Sequence, residues 1–168
     1  LKPTQNQGMD VTRMFEDLEA SVNAGGIPVS NPKDAFRQAA SVTVTLGNRV
    51  MRLQRLVFAR DFLLGQHHSL TFAVNFRTMG AVRLHAAGQV SSKQSKALLH
   101  GWLRELPAGL QFSVVLANGE RISKVLILSC DKTFIVLRPS DSELEPRAVP
   151  LSAIVCFEFN AVDNKLGI

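Results

Sequence analysis

Phe112-Ser-Val-Val-Leu-Ala-Asn-Gly-Glu120, Arg121-Ile-Ser-Lys-Val-Leu-Ile-Leu-Ser-Cys130, Thr133-Phe-Ile-Val-Leu137 and Val149-Pro-Leu-Ser-Ala-Ile-Val-Cys-Phe-Glu-Phe159 fill most of the last third of a 168-residue chain. Each run is short, apolar and rich in β-branched or aromatic residues, as pleated, half-buried strands require. Asn118-Gly119 between two such runs predicts a hairpin, since a type I′ turn needs positive φ at both central positions. The run from Arg121 to Cys130 is apolar on both faces, which predicts a strand bent around a core. Cys130-Asp131-Lys132 supplies the next turn, 139–146 an acidic polar loop, and Pro150 suits a strand start or a sheet edge. Together these runs predict a small antiparallel β-barrel.

A leading helix, a strand ending in Asn-Gly, a long bent strand, a short apolar strand and a last strand after Val149-Pro-Leu-Ser-Ala-Ile154 form a pattern. It resembles the Sm-like (Hfq-like) family over roughly residues 93–159. The resemblance rests on Leu116-Ala-Asn-Gly119, Thr133-Phe-Ile-Val-Leu137 and Val149-Pro-Leu-Ser-Ala-Ile154. It implies a ring-forming barrel that binds single-stranded RNA through two turn loops, which fall here at Cys130–Thr133 and Val149–Ser152. Two departures stand out. Val149-Pro150-Leu151 replaces the basic-and-histidine signature, and Asp131 is present without the Asn that completes the Sm pattern.

Upstream, residues 1–8 read as a loose tail with no apolar signal core, so no secretory segment is expected. Asp10 caps an expected helix from Val11 to about Asn23, with Met9 and Met14 as a hydrophobic staple. Val11, Met14, Phe15, Leu18 and Val22 recur at helical spacing, and Gly25-Gly26 ends the run. Asn31-Pro32 starts a second expected helix that reaches at least Ala40. Residues 41–48 are left open between a strand and the middle of one long, glycine-interrupted helix. Arg49 to Leu64 is composed mainly of helix formers and is expected to be a helix. It is apolar on two sides, which predicts burial on both or contact with a second subunit. Leu70, Phe72, Val74 and Phe76 alternate as in a strand, Ala81–His85 reads as a short partner strand, and 86–92 as a linker. Ser92 caps an expected helix from Lys93 to about Leu106.

The fold class expected is therefore α+β: N-terminal helices and a short β element, then a helix-capped small antiparallel Sm-like/SH3-like barrel. The divisions are 1–30, a tail and helix; 31–90, a basic helical segment with a β-hairpin; and 91–168, the barrel with its leading helix.

Charge is the other signal. The net charge of +5 is unevenly placed: +6 over residues 1–100 and −1 over 101–168. Arg49, Arg52, Arg55, Arg60, Arg77, Arg83, Lys93 and Lys96 make up the basic set, and a guanidinium fork suits phosphate. Gathered on one surface, these groups would bind nucleic acid with a strong salt dependence. Dispersed, they would cover apolar surface or pair with acids.

No hydrolase, P-loop or dinucleotide motif occurs, His67, His68, His85 and His100 lack paired ligand spacing, and no cofactor or metal is expected. Cys130 and Cys156 fit two buried reduced thiols in a cytoplasmic protein, with a disulfide between neighbouring strands as the alternative. No apolar run reaches the ~20 residues of a membrane span. The expectation is a non-catalytic protein that binds RNA or DNA through the basic 49–96 segment. The alternative is a module that forms homo-oligomers or docks into a larger protein assembly.

Overall fold

The computed structural model describes residues 36, 38–46, 48–85, 92–140 and 145–160. The tail and the helix expected over 11–23, with the Asn31-Pro32 helix start, lie outside them. Phe36 and Gln38 are helical, and the regular elements are nearly all strands: β1 (Ser41–Leu46), β2 (Arg49–Phe58), β3 (Phe62–His67), β4 (Leu70–Asn75), β5 (Val82–His85), β6 (Lys93–Gln94), β7 (Phe112–Leu116), β8 (Arg121–Cys130), β9 (Phe134–Pro139), β10 (Arg147–Pro150) and β11 (Ile154–Asn160). One short helix, α1 (Leu99–Arg104), precedes β7, and a 3-10 turn over Leu151–Ala153 joins β10 to β11.

All eleven strands belong to one sheet, in the order β10-β9-β8-β7-β11-β4-β3-β2-β1-β5, with β6 parallel to the end of β2. The expected α+β fold with N-terminal helices and a separate small barrel is therefore overturned. The five C-terminal strands form, but their row does not close. β11 pairs with β7 on one side and with β4 on the other, Glu158 facing Ser113 and Phe72. Both hydrogen-bonding edges of β11 are used, so the sheet continues into the N-terminal strands.

The helix expected over Arg49–Leu64 is instead the β2–β3 hairpin. The misreading has a physical origin. Gln54 pairs with Gln66 and Val57 with Leu64, so Arg55 and Leu56 together oppose Gly65. This bulge, with Arg55 at φ 53°, adds one residue to the alternation. Met51, Leu53, Leu56 and Phe58 consequently all enter one core despite their uneven spacing, and the run imitates a helical period. Gly65 is required opposite the bulge, since a Cβ there would lie 2.7 Å from Leu53 Cβ. Residues 41–46, left open in the sequence, pair with β2 and β5 as a strand. Val82–His85 is a strand, but its partner is β1 rather than β4.

The helix expected from Lys93 begins only at Leu99, because Lys93–Gln94 pairs with β2. Its N-cap residue Leu98 has no capping side chain, and Asp61 of the β2–β3 turn accepts the Leu99 N–H at 2.8 Å instead. The Asn118-Gly119 hairpin is present without a type I′ turn. Only Gly119 has positive φ, at 90°, and Leu116 bonds to Glu120 across a three-residue loop. β8 carries one bulge at Ser123-Lys124 and another at Leu128, and Val125 alone of its residues is buried.

The sheet serves two cores, one on each face. Phe72 and Val74 of β4, Leu63 of β3 and Cys156 of β11 enter the first core with β1, β2 and β5. Ala73, Phe62, Leu64, Phe157 and Phe159 of the same three strands enter the second, with β7–β10 and α1. Trp102 of α1 lies across this second core, 5.2 Å from the Phe62 ring and 5.5 Å from Phe159. Between the halves, Glu158 is buried, its side chain 3% exposed. It receives Arg49 of β2 at 3.1 Å and Arg121 of β8 at 2.6 Å. Among the described residues no helix is long and apolar enough to cross a membrane.

Candidate functional site

Where the halves meet, a cleft of about 500 Å3 opens between five segments. Asp61 comes from the β2–β3 turn, and Asn75 and Arg77 from the end of β4. Leu98, Leu99 and His100 come from the start of α1, Lys132 and Thr133 from the β8–β9 turn, and Leu151 and Ser152 from the 3-10 turn. Asn75 fixes the floor. Its amide donates to the carbonyls of Leu151 and Ile154, at 3.2 and 3.1 Å, and its Oδ1 accepts the Arg77 N–H at 3.1 Å. Thr78 Oγ1 donates to Ile154 O at 2.6 Å. One polar residue at the end of an apolar strand thereby ties β4 to a turn 76 residues away and aims the backbone of Arg77.

The β8–β9 wall is equally fixed. Asp131 Oδ1 accepts the N–H groups of Thr133 and Phe134, both at 2.7 Å, and Thr133 O accepts the Leu151 N–H at 2.9 Å. These backbone bonds, of Phe134 first and then Thr133, hold the Asp131 carboxyl below its ordinary pKa of 3.8, with His100 and Lys132 adding in the same direction. Asp61 is used as the cap of α1. Among the described residues, the guanidinium of Arg77 and the ammonium of Lys132 make no ion pair. The groups left to meet a ligand are thus two cations, the hydroxyls of Thr133 and Ser152, His100, and the apolar surface of Leu98 and Leu151. This set suits an anion joined to an apolar body.

The basic residues singled out from the sequence do not gather on one surface. Arg49 is committed to Glu158. Arg52 and Arg83 flank Thr43 across β2-β1-β5 on the face turned away from the first core, with Arg52 Nε bonded to Ser41 Oγ at 2.9 Å. Arg55 sits on the exposed bulge. Arg60 and Lys96 border a separate groove, and Lys93 is exposed on β6. Arg77 alone of the eight reaches the cleft.

The loops 130–133 and 149–152, implicated by resemblance, both line the cleft. Asp61, His100 and Leu98 gave no signal of their own, and Asp61 acts on a backbone group 38 residues away. Asn75 offered the one hint, a polar residue closing an alternating apolar run.

Cys130 and Cys156 are free thiols. Burial pushes Cys156 up to about 12 and Cys130 up to about 11, so neither supplies a thiolate at neutral pH. No protein-family model matches the chain, and no curated protein sequence matches it.

Proposed function

We propose that this protein binds single-stranded nucleic acid without transforming it, and that the cleft between the two halves of the sheet is the binding site. The observation that carries the reading is the convergence of Arg77, Lys132, Thr133 and Ser152 on one cleft with apolar walls. Two phosphates fit the two cations, with the hydroxyls as additional donors, and a base fits against Leu98 and Leu151. With Asp61 and Asn75 already engaged, the cleft offers donors for an anion rather than an acid–base pair for chemistry.

The test is fluorescence anisotropy with short single-stranded RNA and DNA oligonucleotides over a range of salt. Two phosphate contacts predict a log–log slope of about −1.4 for single strands, and Arg77→Ala should reduce its magnitude by about 0.7. Absence of binding at low salt, or a slope that Arg77→Ala leaves unchanged, refutes the reading.

A second reading, an assembly module, is favoured by apolar exposure. Val50 is 67%, Leu128 49% and Phe134 44% exposed, and β5 and β10 are each paired on one side in the sheet order. It predicts a multimer by light scattering that carries no nucleic acid.

A further inference from the structure

Beside the first core lies a groove of about 810 Å3, walled by Phe36, Phe58, Phe76 and Met79 and bordered by Arg60 and Lys96. The three aromatic rings form one surface, Phe36 meeting Phe58 edge-on at 5.8 Å and Phe76 at 6.3 Å. Neither Arg60 nor Lys96 makes an ion pair among the described residues. An apolar trough with basic borders fits an amphipathic segment of opposite charge.

The chain carries such a segment outside the described residues. Met9-Asp-Val-Thr-Arg-Met-Phe-Glu-Asp-Leu-Glu-Ala-Ser-Val-Asn23 has an apolar stripe at Val11, Met14, Phe15, Leu18 and Val22, and four acids against one arginine. We propose that residues 9–23 occupy this groove of their own chain, with the stripe on Phe36, Phe58, Phe76 and Met79 and the acids toward Arg60 and Lys96.

Three arguments select this occupant. The charges are complementary. The first described residue, Phe36, is itself a wall of the groove, and the twelve residues 24–35 reach up to about 40 Å when extended, ample to double back. The tether holds the segment at roughly millimolar effective concentration, which a second copy or a foreign peptide does not match at ordinary protein concentrations. This inference is independent of the nucleic-acid reading.

The test uses the full chain. A zero-length carbodiimide reagent joins carboxylates to lysine amines in contact, and peptide mass spectrometry of the monomer band should find Lys96 joined to Glu16, Asp17 or Glu19. Hydrogen exchange supplies a second arm. Arg60→Glu with Lys96→Glu should speed exchange in peptides spanning 76–79 by roughly tenfold. Adding Glu16→Lys, Asp17→Lys and Glu19→Lys to that variant should restore the slow rate. Coupling of Lys96 to residues 10–19 only in a dimer band, no coupling at all, or exchange at 76–79 indifferent to the charge reversal each overturns the proposal.

Discussion

The two halves of the sheet build a core by different means. In the C-terminal half, β7–β11 curve around Phe112, Phe157 and Phe159, and α1 covers them with Trp102 and Leu103. In the N-terminal half, β1–β5 form the first core with the other faces of β4 and β11, and helical Phe36 packs against it. Its outer side is left to Phe36, Phe76 and Met79, and there the apolar groove remains. A strand face buried by neighbours within the sheet needs no helix, whereas a row that stays open must be covered from outside. The cleft belongs to neither half alone, since Asn75 and Arg77 come from one and Lys132, Thr133 and Ser152 from the other.

The largest expected effects test whether the two cores stand or fall together. Phe72 and Phe157 are fully buried, one in each core, on neighbouring strands. Phe72→Ala and Phe157→Ala should each cost about 3–5 kcal/mol and shift one shared denaturant transition. Two separable transitions, each sensitive to one substitution, would make the halves independent units.

A comparable effect is expected at the charge junction. Removing both Arg49 and Arg121 leaves Glu158 buried and unpaired, and should cost about 3 kcal/mol by equilibrium unfolding. Glu158→Gln should cost clearly less, because the two half-exposed arginines regain water. Equal costs would mean that the trio does not join the halves in the way its geometry indicates.

Asn75→Ala is smaller, about 1 kcal/mol, from the loss of two buried hydrogen bonds, since Ile154 O keeps Thr78 Oγ1 and Leu151 O keeps the Ile154 N–H. Because Asn75 also aims Arg77, the same variant should weaken oligonucleotide binding more than its stability loss explains. Unchanged affinity in the folded variant would remove Asn75 from the site.

The smallest effect concerns the β8–β9 turn. The folded pKa of Asp131 is depressed, so its contribution is present above the ordinary value of 3.8 and is lost as pH falls through the folded value. The amide resonances of Thr133 and Phe134 should therefore titrate with a midpoint below 3.8. A midpoint at or above it contradicts the hydrogen-bonded carboxylate.

How much of this was legible in the chain differs between the halves, for physical reasons. Leu70–Asn75 alternates cleanly and is a strand, and the C-terminal runs are strands because their turns carry Gly119 and Asp131 at the needed positions. Arg49–Leu64 misled because a bulge moved the apolar phase by one residue, and because Phe62-Leu63-Leu64 is apolar toward two cores at once. The pairing of β11 with β4 left no local mark, since a strand does not encode which partner takes its second edge. At the cleft, Arg77 was visible as charge and the loops 130–133 and 149–152 as resemblance. Asp61 and Asn75 were not, because each acts on a backbone group 38 to 79 residues away.

The most direct measurement compares two surfaces of one protein. Anisotropy titrations with a short single-stranded oligonucleotide, at one salt concentration, would set Arg77→Ala/Lys132→Ala in the cleft against Arg52→Ala/Arg83→Ala on the β2-β1-β5 face turned away from the first core. The account predicts that the cleft pair loses at least about tenfold in affinity while the sheet-face pair changes it less than about threefold. Loss from the sheet-face pair with an unaffected cleft pair would contradict it.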